Sequence, residues 1–279
     1  MREIDEFKQT VLDEYPRYGL NDKMKFACHR GVPCFNECCR DITIFLTPYD
    51  ILRMKNNLGI SSTEFLAKYT VLPFSKEQRL PVVVLKMLDD EEKRCPFVRE
   101  EGCSIYIDRP WACRMYPLGL ASPKESGVCD EEFYFLMKEP ICKGFDEGEE
   151  CTIAEWIESQ GIAEYNRMGE DFKGLTLHDY FQHGGNLSPE KMDMFYMANY
   201  DLDRFRKFVF ESTFLNRFDI ASETVERIKQ DDIELMKFGV RWLRFCLFGE
   251  DLLTVKEEEE RRFKEGSKKD TQQAAGSSQ

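Results

Sequence analysis

Ten of the eleven cysteines lie between Cys28 and Cys151, and only Cys246 lies beyond them. Small exported domains use such density for disulfides, because they lack the apolar surface to fold otherwise. This chain has 279 residues, 42% of them apolar, which is ample for a core. Its first residues, Met1-Arg2-Glu3-Ile4-Asp5-Glu6, are acidic and lack the apolar run of a secretory signal. No stretch approaches the roughly 20 apolar residues that span a bilayer. The chain therefore reads as cytoplasmic, where thiols stay reduced and clustered cysteines point to metal or redox chemistry. Full disulfide pairing would also leave one of eleven thiols over.

Charge narrows the partners. Asp and Glu outnumber Lys and Arg by 52 to 39, a net charge of −13. Such a body repels phosphate backbones, and the basic Arg261, Arg262 and Lys264 are offset by Glu257–Glu260. Nucleic acid and membrane are both excluded as expected partners.

The spacing predicts a cysteine-rich part over 1–151, a helical part over 152–250, and a solvated, disordered tail over 251–279. Ile4, Phe7 and Val11 predict a short helix over Ile4–Glu14. A strand is expected at Asp41–Leu46. Thr47 then caps a helix opened by Pro48 and stopped at Gly59, with a second helix over Ser62–Tyr69. The β-branched run Leu80–Leu88 reads as a strand, with returning strands at Cys95–Val98 and Cys103–Tyr106 split by Gly102. Beyond Cys151 everything reads as helix. Thr152 and Glu155 form a capping box, one long helix starts at Ser188-Pro189 and runs to about Phe214, and another runs from about Ala221 to Phe248. The fold class is α+β and predominantly helical: a small irregular cysteine-rich core followed by a helical region.

The first cysteine cluster is Cys28, Cys34, Cys38 and Cys39, spaced C-x5-C-x3-C-C. The second is Cys95-Pro96, Cys103 and Cys113, followed by Cys129 and by Cys142-Lys143-Gly144. Thiolates are soft ligands that select zinc, Cu(I) or iron–sulfur clusters. Holding several together is costly without a cation, since buried like charges repel. Gly31, Pro33, Pro96 and Gly102 sharpen loops so that distant sulfurs converge. Arg109 and Arg114 flank Cys113 and either offset thiolate charge or make ordinary surface ion pairs. No C-x2-C occurs, so a zinc-finger knuckle and a thioredoxin pair are absent. Adjacent Cys38 and Cys39 do not easily chelate one tetrahedral ion together, which favours a cluster or more than one site.

This pattern, continued by Cys95-Pro96-Phe97, Gly102-Cys103-Ser104-Ile105-Tyr106, Arg109-Pro110 and Cys113-Arg114-Met115-Tyr116-Pro117, resembles the YkgJ-like cysteine-cluster family. Flagellin lysine methylases are similar in the same cysteines. The resemblance covers about residues 26–150. It implies zinc or iron chelation through Cys28, Cys34, Cys38, Cys39, Cys95, Cys103, Cys113 and Cys142, and the missing knuckles with the adjacent Cys38-Cys39 favour an iron–sulfur centre over zinc. Cys142-Lys143-Gly144 stands where the family usually has Cys-Pro-Gly, and Cys129 and Cys151 fall outside the pattern.

Other candidates weigh less. His29 reads as a surface neighbour of Cys28, His178 and His183 as structural, and Cys246 as a small apolar filler. No catalytic triad order, Walker loop, dinucleotide fingerprint or C-x3-C-x2-C radical motif appears. Three readings remain open on the sequence: a redox or protein-modifying cofactor protein, a structural-zinc module that binds a protein partner or substrate, and a metal delivery or storage protein.

Overall fold

The structure, a computed structural model, describes residues 15–73, 79–121 and 132–256. The helix expected at Ile4–Glu14, Cys129 and the tail beyond Lys256 lie outside the described residues. Eleven α-helices and eleven short strands are present among those described, so the chain is α+β and predominantly helical. No helix among them is long and apolar enough to cross a membrane. They divide into two compact units, the first drawn from residues 1–59, 67–73 and 82–170, the second from 60–66, 74–81 and 171–279.

In the first unit, β1 (Lys23–Lys25) pairs antiparallel with β9 (Glu150–Thr152), so that Met24 faces Cys151. The three-stranded sheet orders β2 (Phe45–Leu46), β4 (Val83–Leu85) and β3 (Thr70–Val71), with β4 central. β5 (Val98–Arg99) and β6 (Gly102–Cys103) form a tight hairpin, and β7 (Leu118–Ala121) pairs with β8 (Phe133–Leu136). These strands are shorter than the apolar runs predict: Asp41–Leu46 supplies two strand residues and Leu80–Leu88 three.

Helix α1 (Pro48–Leu58) begins and ends as its sequence signals. The Thr47 hydroxyl accepts from the Asp50 amide at 3.2 Å, the Asp50 carboxylate accepts from the Thr47 amide at 2.8 Å, and Gly59 closes the helix at φ 64°. α2 (Ser62–Tyr69) follows, then the one-and-a-half-turn α3 (Trp111–Met115), α4 (Ile153–Ser159) and α5 (Ile162–Thr176). The capping box at Thr152 and Glu155 is present, with the amide of Glu155 donating to the Thr152 hydroxyl at 3.1 Å. Met24, Met115, Leu118, Leu136, Ile153 and Ile162 form this unit's core, flanked by Trp111, Phe145 and Trp156. Each such buried side chain stabilises the fold by roughly 1.5–3 kcal/mol.

The second unit continues with α6 (Asp179–Gln182), α7 (Pro189–Asn199), α8 (Leu202–Glu211), α9 (Phe214–Arg217), α10 (Ser222–Gln230) and α11 (Asp232–Phe248). Both long helices expected here are broken. The first divides at Tyr200-Asp201, where Asp201 caps α8 through the Arg204 amide at 3.3 Å. The second divides at Asp231, whose carboxylate accepts from the Ile233 and Glu234 amides at 2.7 and 3.3 Å. Aspartate bonds its own downstream amides more readily than it continues a helix, which explains both breaks. The region is not helix alone, since β10 (Phe218–Asp219) pairs with β11 (Thr254–Val255). Phe205 stacks on Trp242 with ring centroids 5.4 Å apart, so the aromatic stripe is core.

Candidate metal centre

All ten described cysteines are free thiols. The eight singled out by the sequence pattern all fall in the first unit. Their positions follow from how short loops are tied.

Cys28 lies just past β1, and the preceding residue is fixed by the Ala27 amide donating to Gly144 O at 3.0 Å. The chain then runs through successive turns, with the amides of Val32, Phe35, Glu37 and Cys39 donating to the carbonyls of His29, Val32, Cys34 and Asn36. Asn36 takes the left-handed conformation at φ 70°, which Asn tolerates better than most residues, and its side-chain amide donates to Arg99 O at 2.9 Å. It opens a 3-10 turn over Glu37–Cys39. Cys38 and Cys39 are consecutive residues of this turn.

Cys28, Cys34, Cys38 and Cys142 line one cavity with Phe26, Tyr116 and Ile141. The Cys142 side is brought to the Cys34 side by the Lys143 amide, which donates to the Cys34 sulfur at 3.1 Å. Burial, then the charges of Cys38, Cys34 and Cys142, push the Cys28 thiol up to about 11. The Tyr116 hydroxyl is buried without an acceptor at hydrogen-bonding geometry. The group it faces is the Cys142 sulfur, which after burial is the chief cause holding the phenol's pKa up.

Cys39 belongs to other neighbours. Its carbonyl accepts from the Cys95 amide at 2.8 Å, next to the Arg40–Arg94 bridge. From Cys95 the chain enters the β5–β6 hairpin, where Val98 pairs with Cys103 and the Ser104 amide donates to Phe97 O at 2.8 Å. Burial pushes the Cys95 and Cys103 thiols up, with nearby backbone amides opposing it in part. Cys113 sits on α3, whose first amide, at Trp111, donates to the Asp50 carboxylate at 2.7 Å. Burial, then the charges of Cys95 and Cys103, push Cys113 up to about 12. Hydrogen bonding from Cys39 brings Cys38 down to about 7, while the same bond, then burial, then Cys38, Cys95 and Cys113, push Cys39 up.

Cys28, Cys38 and Cys113 keep solvent-exposed surface, so the thiols lie near the protein exterior. The Cys28 and Cys113 sulfurs are nonetheless crowded enough that burial governs their ionisation. Buried, mutually repelling thiols are the donor chemistry that a soft cation relieves, because coordination removes the proton and neutralises the repulsion. As placed, no three His, Cys, Asp or Glu side chains among the described residues close to the spacing that a single ion requires.

Arg109 and Arg114 are each 8% exposed, which excludes ordinary surface pairing. Arg109 donates to Tyr106 O at 2.6 Å and to the Gln160 side chain at 2.5 Å, both neutral acceptors. Its charge opposes the burial of Cys28 and of Cys113. Arg114 donates to Arg109 O, Gln160 O and Ile107 O, and covers the Tyr165 ring at 4.5 Å.

The remaining candidates sit apart. His29 is exposed and accepts the Gly31 amide at 3.1 Å. His178 caps α6 and stacks on Phe248, and His183 bonds Asp179 O. Cys151 is half-buried on β9 beside the core, and Cys246 is half-buried on α11. Sequence reasoning missed Asp50, Tyr116 and the amides aimed at sulfur; an aspartate three residues after a Thr cap is the one signal that marked any of them.

Residues 27–143 match the family model CxxCxxCC, described as a "putative zinc- or iron-chelating domain". The match takes in all eight cysteines and leaves out Cys151 and Cys246. This stretch is therefore similar to the family that the sequence resemblance named. No curated protein and no solved structure matches the chain.

Proposed function

We propose that this chain is a redox protein whose thiolates hold an iron–sulfur centre in preference to zinc, working in the reducing cytoplasm where its cysteines stay free. One observation carries the choice of metal. Cys28, Cys34, Cys38 and Cys142 stand round a cavity and do not converge on a point. Zinc with bonds of about 2.3 Å draws four sulfurs to about 3.8 Å of each other, whereas a cluster of several iron and sulfide atoms bridges a wider gap. Such a group supplies one-electron transfer when bound. The chain's own residues then have definite tasks: the thiolates bind, the Lys143 amide orients the Cys34 sulfur, and buried Arg109 offsets thiolate charge.

The test is iron, zinc and acid-labile sulfide content of anaerobically purified full-length protein, with its visible spectrum. Iron and sulfide in similar amounts, with broad visible absorption that bleaches on reduction, support the reading. Zinc without sulfide overturns it in favour of a structural site, and no metal at all removes the metal-binding function.

A further inference from the structure

We propose that the outer face of the three-stranded sheet is a docking surface for a partner protein, which meets it with a segment of mixed apolar and acidic side chains. The inference does not depend on which metal the cysteines hold. It adds a class of partner to the unit that carries them.

Strand alternation separates the two faces of this sheet. Ile44 and Leu46 flank Phe45, Val83 and Leu85 flank Val84, and all four flanking residues are buried. The register sets Phe45 opposite Val84 on one side and Val71 opposite it on the other. Directly opposed residues share a face, so these three form one row across β2, β4 and β3. Phe45 is 55% exposed and Val71 43%, while Val84, walled in between them, is buried. Leu72, which follows Val71, is 49% exposed. A single apolar residue at a surface is ordinary, but a contiguous row on an ordered sheet marks a contact surface.

Charge says what the partner carries. Residues 43–46, 69–72 and 82–86 hold one charged side chain, Lys86, and no acid. Elsewhere acids prevail, with 52 Asp and Glu against 39 Lys and Arg in the whole chain. Lys86 stands two residues beyond Val84, and its amide donates to Tyr69 O at 2.8 Å. That bond extends the ladder by one residue and keeps Lys86 on the outer face. The Lys68 ammonium lies 5.0 Å from the centre of the Tyr69 ring. Neither lysine meets a carboxylate among the described residues. An apolar row thus runs beside a cationic one, and acidic side chains interleaved with apolar ones complement both. A basic polypeptide would meet the two lysines with like charge. Tyr69 also packs on Phe97, ring centroids 5.0 Å apart, two residues after Cys95. A partner on this face therefore stands beside one of the cysteine loops.

The probe is a short labelled peptide of alternating valine and glutamate, with a valine–lysine peptide of equal length as its counterpart. Each is titrated against the full-length protein by fluorescence anisotropy. The glutamate peptide is expected to bind about tenfold tighter than the lysine peptide or better, and to weaken as salt is raised. Phe45→Ser should weaken its binding about tenfold, as loss of a central aromatic contact does. Lys86→Glu should bring the affinities of the two peptides together. Ile107→Ser, at a residue 70% exposed but outside the sheet, should bind as wild type does. Thermal melts report whether Phe45→Ser folds, and Val71→Thr with Lys86→Glu carries the comparison if it does not. No binding of the glutamate peptide, equal binding of the two peptides, or wild-type affinity in the Phe45 and Val71 variants overturns the proposal. A wild-type dimer in sedimentation that Phe45→Ser dissociates assigns the face to a second copy instead. Flotation with phosphatidylserine vesicles that Phe45→Ser abolishes assigns it to a membrane surface. Either result also overturns the partner protein.

Discussion

The backbone amide of Lys143 donates to the sulfur of Cys34 across 3.1 Å, joining positions 109 residues apart. Proline at this position would have no amide hydrogen to give, so the N–H···S bond depends on the residue that stands here. The bond ties the Cys142 loop to the Cys34 loop.

Lys143→Pro should therefore weaken metal retention at the Cys34 group, while Lys143→Ala, which keeps the amide, should not. Loss of a partner that orients a ligand costs about 10–100-fold in metal affinity. Chelator-release rates of the two variants decide it. Equal rates would mean that the amide does not hold the sulfur.

Tyr116→Phe isolates a hydroxyl that has no hydrogen-bond partner among the described residues but faces Cys142 across the cavity. Removing a buried, unsatisfied hydroxyl relieves an unfavourable desolvation, so the metal-free protein should melt no earlier than wild type. Once Cys142 is a metal-bound thiolate it becomes an acceptor, and the same change should then shift the sulfur-to-metal absorption and speed metal loss about tenfold. An unchanged spectrum in a fully loaded Tyr116→Phe protein would show that the hydroxyl points elsewhere.

Much of this was legible in the residues. Thr47-Pro48 with Gly59, and Thr152 with Glu155, mark helix ends because caps are local bonds between neighbours. The soft-ligand chemistry was equally visible, since donor type and spacing are properties of the chain itself, and the stretch that carries it is the one the family model matches. The breaks at Asp201 and Asp231 were not read, because the apolar period runs through them while the caps that stop the helices depend on which amides the carboxylates find. Nor could the sequence place the Cys95 amide on Cys39 O, the Lys143 amide on Cys34, or Arg109 beneath the surface. Each depends on segments that meet only after folding.

Asp231→Ala serves as a stability change remote in sequence from the cysteines. Its carboxylate accepts two amides at the start of α11, and losing such a cap costs about 1 kcal/mol. Urea unfolding should register that loss, with metal content unchanged. Metal loss in this variant would mean that general destabilisation, not ligand geometry, empties the site, and every metal-content comparison would need correction for it.

Asp50 is the residue on which that distinction matters most. One carboxylate oxygen accepts the Thr47 amide and hydroxyl, each at 2.8 Å, and the other accepts the Trp111 amide at 2.7 Å. The side chain thus caps α1 and anchors the first residue of α3, the helix that carries Cys113. Asp50→Ala leaves the buried Trp111 amide without its acceptor and removes a cap, a combined loss of about 2–4 kcal/mol. Asp50→Asn can restore one acceptor but not both, and should fall between alanine and wild type. The site-specific consequence is a loss of metal from the site to which Cys113 contributes, beyond what the loss of stability accounts for. Metal analysis of Asp50→Ala beside Asp231→Ala, after correction for the difference in stability, separates the two effects. If Asp50→Ala keeps all its metal, α3 does not depend on this carboxylate to present Cys113, and the Trp111 bond is a matter of stability alone.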